Sequence, residues 1–279
     1  MLAVVAHPDD ETFGMGGTLA LYARRGVDVH VVCATRGEVG GAPPDRKGFS
    51  SVGAMREEEL RCAAGALGLA GVHFLGYRDS GMAGSPDNTH PQAFAAAPLA
   101  DVAREIARHI RRLRPQVVVT FDPIGGYGHP DHIAANRGTA EGFRLAGDPS
   151  FHVEDFPPFA PAKLYFHTFP RGFLRFAIFL LRLFGQSPSH FGENRDIDLT
   201  VIAKVDYPIH ARIDIRSVLA VKEKASACHS SQGGGQAGGP LRVIMRLFGG
   251  SESFMRAFPP QPPCRMEKDL FDADDLSTR

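Results

Sequence analysis

The chain has no excess of charge of either sign. Its 279 residues carry 31 Lys and Arg against 31 Asp and Glu, so no surplus of positive charge is available to hold a phosphate backbone, and nucleic acid is not an expected partner. Cysteine is scarce: Cys33, Cys62, Cys228 and Cys264 lie far apart and form no C-x-x-C pair. That argues against a disulfide scaffold or a thiolate zinc site and favours a reducing, cytoplasmic setting. The start, Met1-Leu-Ala-Val-Val-Ala, has no basic segment followed by a long apolar core, so secretion is not expected. No long hydrophobic run is present either. The most apolar stretch, 173–184 (FLRFAIFLLRLF), contains Arg175 and Arg182 and is too short and too charged to span a bilayer. It reads as a packed amphipathic helix or a contact of a homo-oligomer, in preference to a lipid-facing patch. A third fingerprint glycine is also missing: Gly14-x-Gly16-Gly17 begins like a dinucleotide motif, but Leu19 stands where the last glycine is needed.

What is present is an alternation of short apolar runs and longer helical patterns, the signature of βαβ units. Strands are expected at about 2–6, 28–34, 72–76 and 116–121, with helices near 15–25, 54–68, 98–113 and 131–146. The fold class is therefore α/β, a doubly wound Rossmann-like, mostly parallel sheet flanked by helices. Within 98–113, Leu99, Val102, Ile106, Ile110 and Leu113 recur at helical spacing opposite Arg104, Arg108, Arg111 and Arg112, which read as a solvated face. The long Gly- and Pro-rich segments 36–53 and 78–97 follow strands, where an α/β site belongs. Beyond residue 147 the pattern is less regular, with strands expected at 163–167, 199–204 and 210–215 and a helix at 217–229. Residues 233–239 (GGGQAGG) read as a flexible loop near the site. The expectation is one domain over 1–279: a metal-binding core at 1–146 and a carboxyl-terminal part, 147–279, shaping the substrate pocket.

Two H-P-D tripeptides carry the chemistry. His7-Pro-Asp-Asp-Glu11 follows the first strand, and Tyr127-Gly-His-Pro-Asp-His132 follows the fourth. In the order 3-2-1-4-5 those two strands are neighbours at the switch point, so both clusters open at the same sheet edge. His7, Asp10 and His132, two imidazoles and a carboxylate, form the three-ligand, open-position set of catalytic zinc, although Fe(II) or another divalent ion fits the same donors. Asp9 and His129 are then of the right types for a base and an acid around a metal-activated water, with Asp131 available to orient His129. Glu11 reads as support for the helix start. His30 and His73 read as packed strand residues and His109 as structural.

These residues resemble the LmbE or PIG-L family of metal-dependent sugar N-deacetylases. The likeness extends to Arg56-Glu-Glu-Glu, to Leu75-Gly-Tyr-Arg-Asp-Ser-Gly-Met82 and to Lys222-x-x-Ala-x-x-x-His229-x-Ser-Gln232. It implies hydrolysis of the N-acetyl group of an N-acetylglucosaminyl glycoside, with His7, Asp10 and His132 as zinc ligands, Asp9 as base and His129 as acid or oxyanion stabiliser supported by Asp131. Tyr127 then polarises the acetyl carbonyl, and Arg56, Asp79, His229 and Gln232 contact substrate. The branch is that of precursors of low-molecular-weight thiols: the malate glycoside of the bacillithiol route or the inositol glycoside of the mycothiol route. Competing readings are an amidase of thiol conjugates, a deacetylase of another amino sugar, and a non-catalytic carbohydrate- or metal-binding module.

Overall fold

The computed structural model describes residues 1–41, 43, 48–168, 170–183, 185–189, 199–205, 207–235, 249–260 and 266–272. Five parallel strands, β1 (Leu2–Val5), β2 (His30–Cys33), β3 (Gly71–Phe74), β4 (Val117–Phe121) and β5 (Lys163–Thr168), form the body of one sheet. They are linked through α1 (Asp10–Arg24), α2 (Val52–Leu67), α3 (Leu99–Leu113), a short turn helix α4 (Gly125–Gly128) and α5 (Pro130–Gly147). β1 and β4 are buried along their whole length, as expected of strands covered by helices on both faces. The observed order is β3-β2-β1-β4-β5-β7-β6, where β6 (Ala211–Asp214) and β7 (Ser251–Phe258) add an antiparallel edge. The first five strands therefore stand in the order expected. β7 was not anticipated.

Three further α-helices follow β5 among the described residues, α6 (Arg171–Leu183), α7 (Leu199–Ile202) and α8 (Leu219–Cys228), besides four short 3-10 turns along the chain. Residues 199–202 are helical where a strand was expected. The far edge of β5 is taken by β7, and this apolar run packs against α4. The 173–184 segment falls within α6, apart from Phe184, which lies outside the described residues, as do 236–239 of the glycine-rich loop. Among the described residues no helix is long and apolar enough to cross a membrane.

Two readings are corrected by packing. Arg111 is buried, donating to the carbonyls of Ala146, Leu145 and Asp148 at the end of α5, so it serves as a C-terminal cap and not as part of a solvated face. Cys62 and Cys228 form a disulfide, invisible as spacing because 166 residues separate them, and brought together because α2 packs on α8. The cysteines consequently give no support to a reducing compartment.

The carboxyl-terminal strand is tied to α1 by Glu252, which accepts from the amides of Gly17 and Thr18 and from Lys222 Nζ at 2.7 Å. Burial alone would raise this carboxyl, but the ammonium of Lys222 outweighs it and holds the pKa below the ordinary carboxylate range. A group depressed in this way stabilises the fold above its unfolded pKa, and that contribution is lost as pH falls. Glu252→Gln is expected to cost about 3 kcal/mol at pH 7, because it breaks a buried ion pair. It should also flatten the loss of stability below about pH 4.5, as read by urea titration across pH.

Candidate active site

β1 ends at Val5 and delivers His7, Asp9 and Asp10 into the turn that starts α1. Asp9 has φ 129°, a conformation that a residue with a side chain rarely adopts. The turn is fixed by bonds from the Thr12 and Phe13 amides to the Asp9 carbonyl and from the Asp9 amide to Glu11 Oε2. β4 delivers the second cluster through Gly125 and Gly126, both at positive φ. A Cβ at Gly125 would stand 2.8 Å from the Cβ of His132. His129 then caps α5, its Nδ1 accepting from the Asp131 amide.

The two clusters meet. His7 Nε2 lies 3.1 Å from Asp131 Oδ2, so it carries the proton and donates to the carboxylate. His132 Nδ1 faces the Gly125 carbonyl at 3.2 Å and donates there. With both imidazoles neutral, as a cation requires of its ligands, the remaining nitrogens, His7 Nδ1 and His132 Nε2, turn their lone pairs on each other across 3.3 Å. Asp10 faces both imidazoles, its Oδ2 3.5 Å from His7 Nδ1 and its Oδ1 3.2 Å from His132 Nε2. Two lone pairs and a carboxylate converging on one point are satisfied by a cation. The 3.3 Å between the two nitrogens is the edge of a tetrahedron whose metal–nitrogen bonds are about 2.0–2.1 Å. The site's charges agree: burial opposes protonation of His7, yet Asp79, Asp10 and Asp131 raise its pKa well above the ordinary value, so the surroundings favour positive charge there. His129 is also within reach, since one nitrogen each of His7, His129 and His132 lie within 4.8 Å of one another.

Around this point the pKa values separate. Burial pushes Asp9 up to about 6, although the Arg56 guanidinium pulls against it. Burial would raise Asp10 too, but His132 and His7 overcome it and hold that carboxyl well below its ordinary value. Burial, aided by His7 and His132, pushes His129 down to about 2, so it is a neutral imidazole. With Nδ1 accepting from an amide, its Nε2 carries the hydrogen.

The sequence profile of the PIG-L family, described as GlcNAc-PI de-N-acetylase, matches residues 2–143, a span that contains both clusters. The chain belongs to the PIG-L family. The family is one of amide-cleaving hydrolases, and this chain is an enzyme of that class. A 1D-myo-inositol 2-acetamido-2-deoxy-alpha-D-glucopyranoside deacetylase of Geodermatophilus obscurus is 38% identical over 242 residues, covering 83% of this chain and 82% of its own. The protein of the same name from Thermomonospora curvata is 39% identical over 259 residues, covering 89% and 86%. The fold is that of N,N'-diacetylchitobiose deacetylase from Pyrococcus horikoshii, with TM-score 0.61 at 21% identity over 91% of this chain and 82% of that one.

Several residues expected to contact substrate are placed elsewhere in this PIG-L chain. Arg56 is 4% exposed and donates to the Gly37 and Pro8 carbonyls and to Asp9 Oδ2 at 3.1 Å, so it holds the Asp9 carboxylate. Asp79 is buried, accepting from the amides of Val39 and Gly81, with Oδ1 3.5 Å from His7. Asp131 orients His7 instead of His129; its carboxylate also accepts from the Ser80 amide. His229 is fully buried, 2.7 Å from Glu11 Oε1. Gln232 is half-buried, its Nε2 donating to the Gly41 carbonyl and to Ser231 Oγ. Tyr127 lies beside the metal point, its ring 5.1 Å from His132 and 6.0 Å from His129. The contribution that the sequence reading missed is that of Glu59, which accepts from Ser230 Oγ and from the Ser231 amide and hydroxyl and thereby anchors the end of α8 beside the site. Its place in the Arg56-Glu-Glu-Glu stretch was the available signal.

Proposed function

We propose that the chain is a divalent-metal-dependent deacetylase that removes the acetyl group from an N-acetylglucosaminyl inositol glycoside. The observation that carries the reading is the convergence of the His7 and His132 lone pairs with Asp10, next to a carboxylate, Asp9, that burial has made more basic. The inositol aglycone is favoured over malate because the relatives at 38–39% identity are named for the inositol glycoside, which narrows the two branches that the sequence left open.

His7, Asp10 and His132 would hold the cation, with zinc the first choice for this donor set. Bound there, it supplies a Lewis acid that polarises the amide carbonyl and makes water acidic. Asp9, fixed by Arg56, takes the proton as water attacks the acetyl carbon. Neutral His129 donates from Nε2 to the developing oxyanion, a role that needs no prior protonation. It is therefore an oxyanion donor first, and delivers a proton to the leaving amine only after receiving one. Tyr127, whose ring lies 5.1 Å from that of His132, would direct its phenol at the same carbonyl oxygen. Asp131 keeps His7 in the tautomer that presents Nδ1.

The test is acetate release by the zinc-loaded protein from the inositol glycoside, the malate glycoside and free N-acetylglucosamine. Fastest turnover of the inositol glycoside is expected. Preference for malate would overturn the choice of aglycone, and no release from any of them with metal bound would overturn the deacetylase reading in favour of a thiol-conjugate amidase.

A further inference from the structure

None of the site residues named above lies on α6, and its surface is unusual. Phe176, Phe179 and Leu183, spaced three and four apart on one face, are 45%, 60% and 66% exposed. They are half of the exposed large apolar side chains among the described residues, gathered within little more than two turns. A cluster of this kind marks an interaction surface. Ile178 faces inward and is buried. Arg175 and Arg182, two turns apart, run along one rim of the apolar face, where with Ile178, Phe179, Thr200 and Ala203 they line a groove between α6 and α7. The helix spells RGFLRFAIFLLRL, with three arginines and no acidic residue.

We propose that α6 lies in the plane of an anionic phospholipid surface and attaches the protein to it, with Phe176, Phe179 and Leu183 among the acyl chains and Arg175 and Arg182 at the phosphates. The charge of the helix selects this occupant. A second copy of the chain, docked through the same face about a two-fold axis, would set arginine-rich helices against each other with no carboxylate on either to neutralise them. An anionic headgroup layer is complementary to both parts of the face at once, and a basic helix with aromatic and leucine residues on its other side is the kind that binds in this way. Phe179→Trp tests insertion directly, because the chain contains no tryptophan of its own.

The full-length protein is mixed with phosphatidylglycerol-containing vesicles and, separately, with pure phosphatidylcholine vesicles. Sedimentation with the first and not the second is expected, weakened by salt, together with a blue shift of Trp emission in Phe179→Trp. Each arginine contributes about fivefold to attachment at an anionic surface, so Arg175→Glu with Arg182→Glu should weaken binding by at least about 25-fold. Phe176→Ser with Phe179→Ser should abolish the pelleting, while acetate release from a soluble glycoside stays unchanged and reports an intact fold. No binding to anionic vesicles, binding that both double variants leave unaltered, or no Trp shift would overturn the proposal. So would a dimer in size-exclusion chromatography that the Phe176/Phe179 variant converts to monomer, since a second copy would then cover the face.

Discussion

Asp9→Ala is expected to lower kcat/KM for acetate release by about 10²–10⁴-fold, the range over which a positioned base accelerates proton transfer, while the purified protein keeps its metal. Asp9 stands outside the proposed ligand set of His7, Asp10 and His132, so the two readouts separate. Asp9→Gly makes the test sharper. Both variants leave Arg56 without its carboxylate, but only glycine relieves the φ of 129°, a strain of about 1–3 kcal/mol at such positions. Asp9→Gly should thus be as inactive as Asp9→Ala and more stable than it by thermal melting. If Asp9→Ala retained near-normal turnover, the base would have to be sought elsewhere, and the strained turn would lose its functional explanation.

His132→Ala should remove metal and activity together. A Lewis acid at an amide carbonyl contributes several kcal/mol, so the loss should be at least about 10³-fold, and added metal should not restore it. The imidazole also stacks on Phe121, with centroids 3.9 Å apart, so a lower melting temperature accompanies the loss. Asp131→Asn provides the contrast. It leaves every ligand atom in place but removes the carboxylate that orients His7, which should weaken metal binding by about 10–100-fold and be rescued by excess zinc. Retention of metal by His132→Ala in direct titration would reassign the third ligand to His129, the other imidazole within reach.

The layout of the site was legible because it depends on things a sequence displays. Apolar runs gave the first five strands, their order followed from the doubly wound pattern, and two H-P-D turns after β1 and β4 had to open at one edge. Residue types then indicated which groups could hold a cation. The orientation of Arg56, Asp79 and His229 was not legible. Their partners are the Pro8 and Gly37 carbonyls, the Val39 and Gly81 amides and a buried Glu11, and only the folded backbone decides whether an arginine faces a sugar or a loop. Asp131 shows the same limit at short range: its neighbour in sequence is His129, but its carboxylate reaches His7, on another strand's loop. The strand expected at 199–204 was composed as a strand should be. Composition does not show that β7, hidden in a sequence of mixed pattern, takes the far edge of β5 while 199–202 forms α7 beside α4.

The Cys62–Cys228 bond makes residues 62–228 a covalent ring, with β1, α1 and β2 on one tail and β7 on the other. A break in the connection between α5 and β5 would leave His7, Asp9, Asp10, His129 and His132 all on the amino-terminal piece. His229, the buried partner of Glu11, would lie on the other piece, still joined to the first through sulfur one residue away. Such a nicked chain remains a single molecule until a thiol reductant parts it, so its integrity on a denaturing gel depends on whether reductant is present.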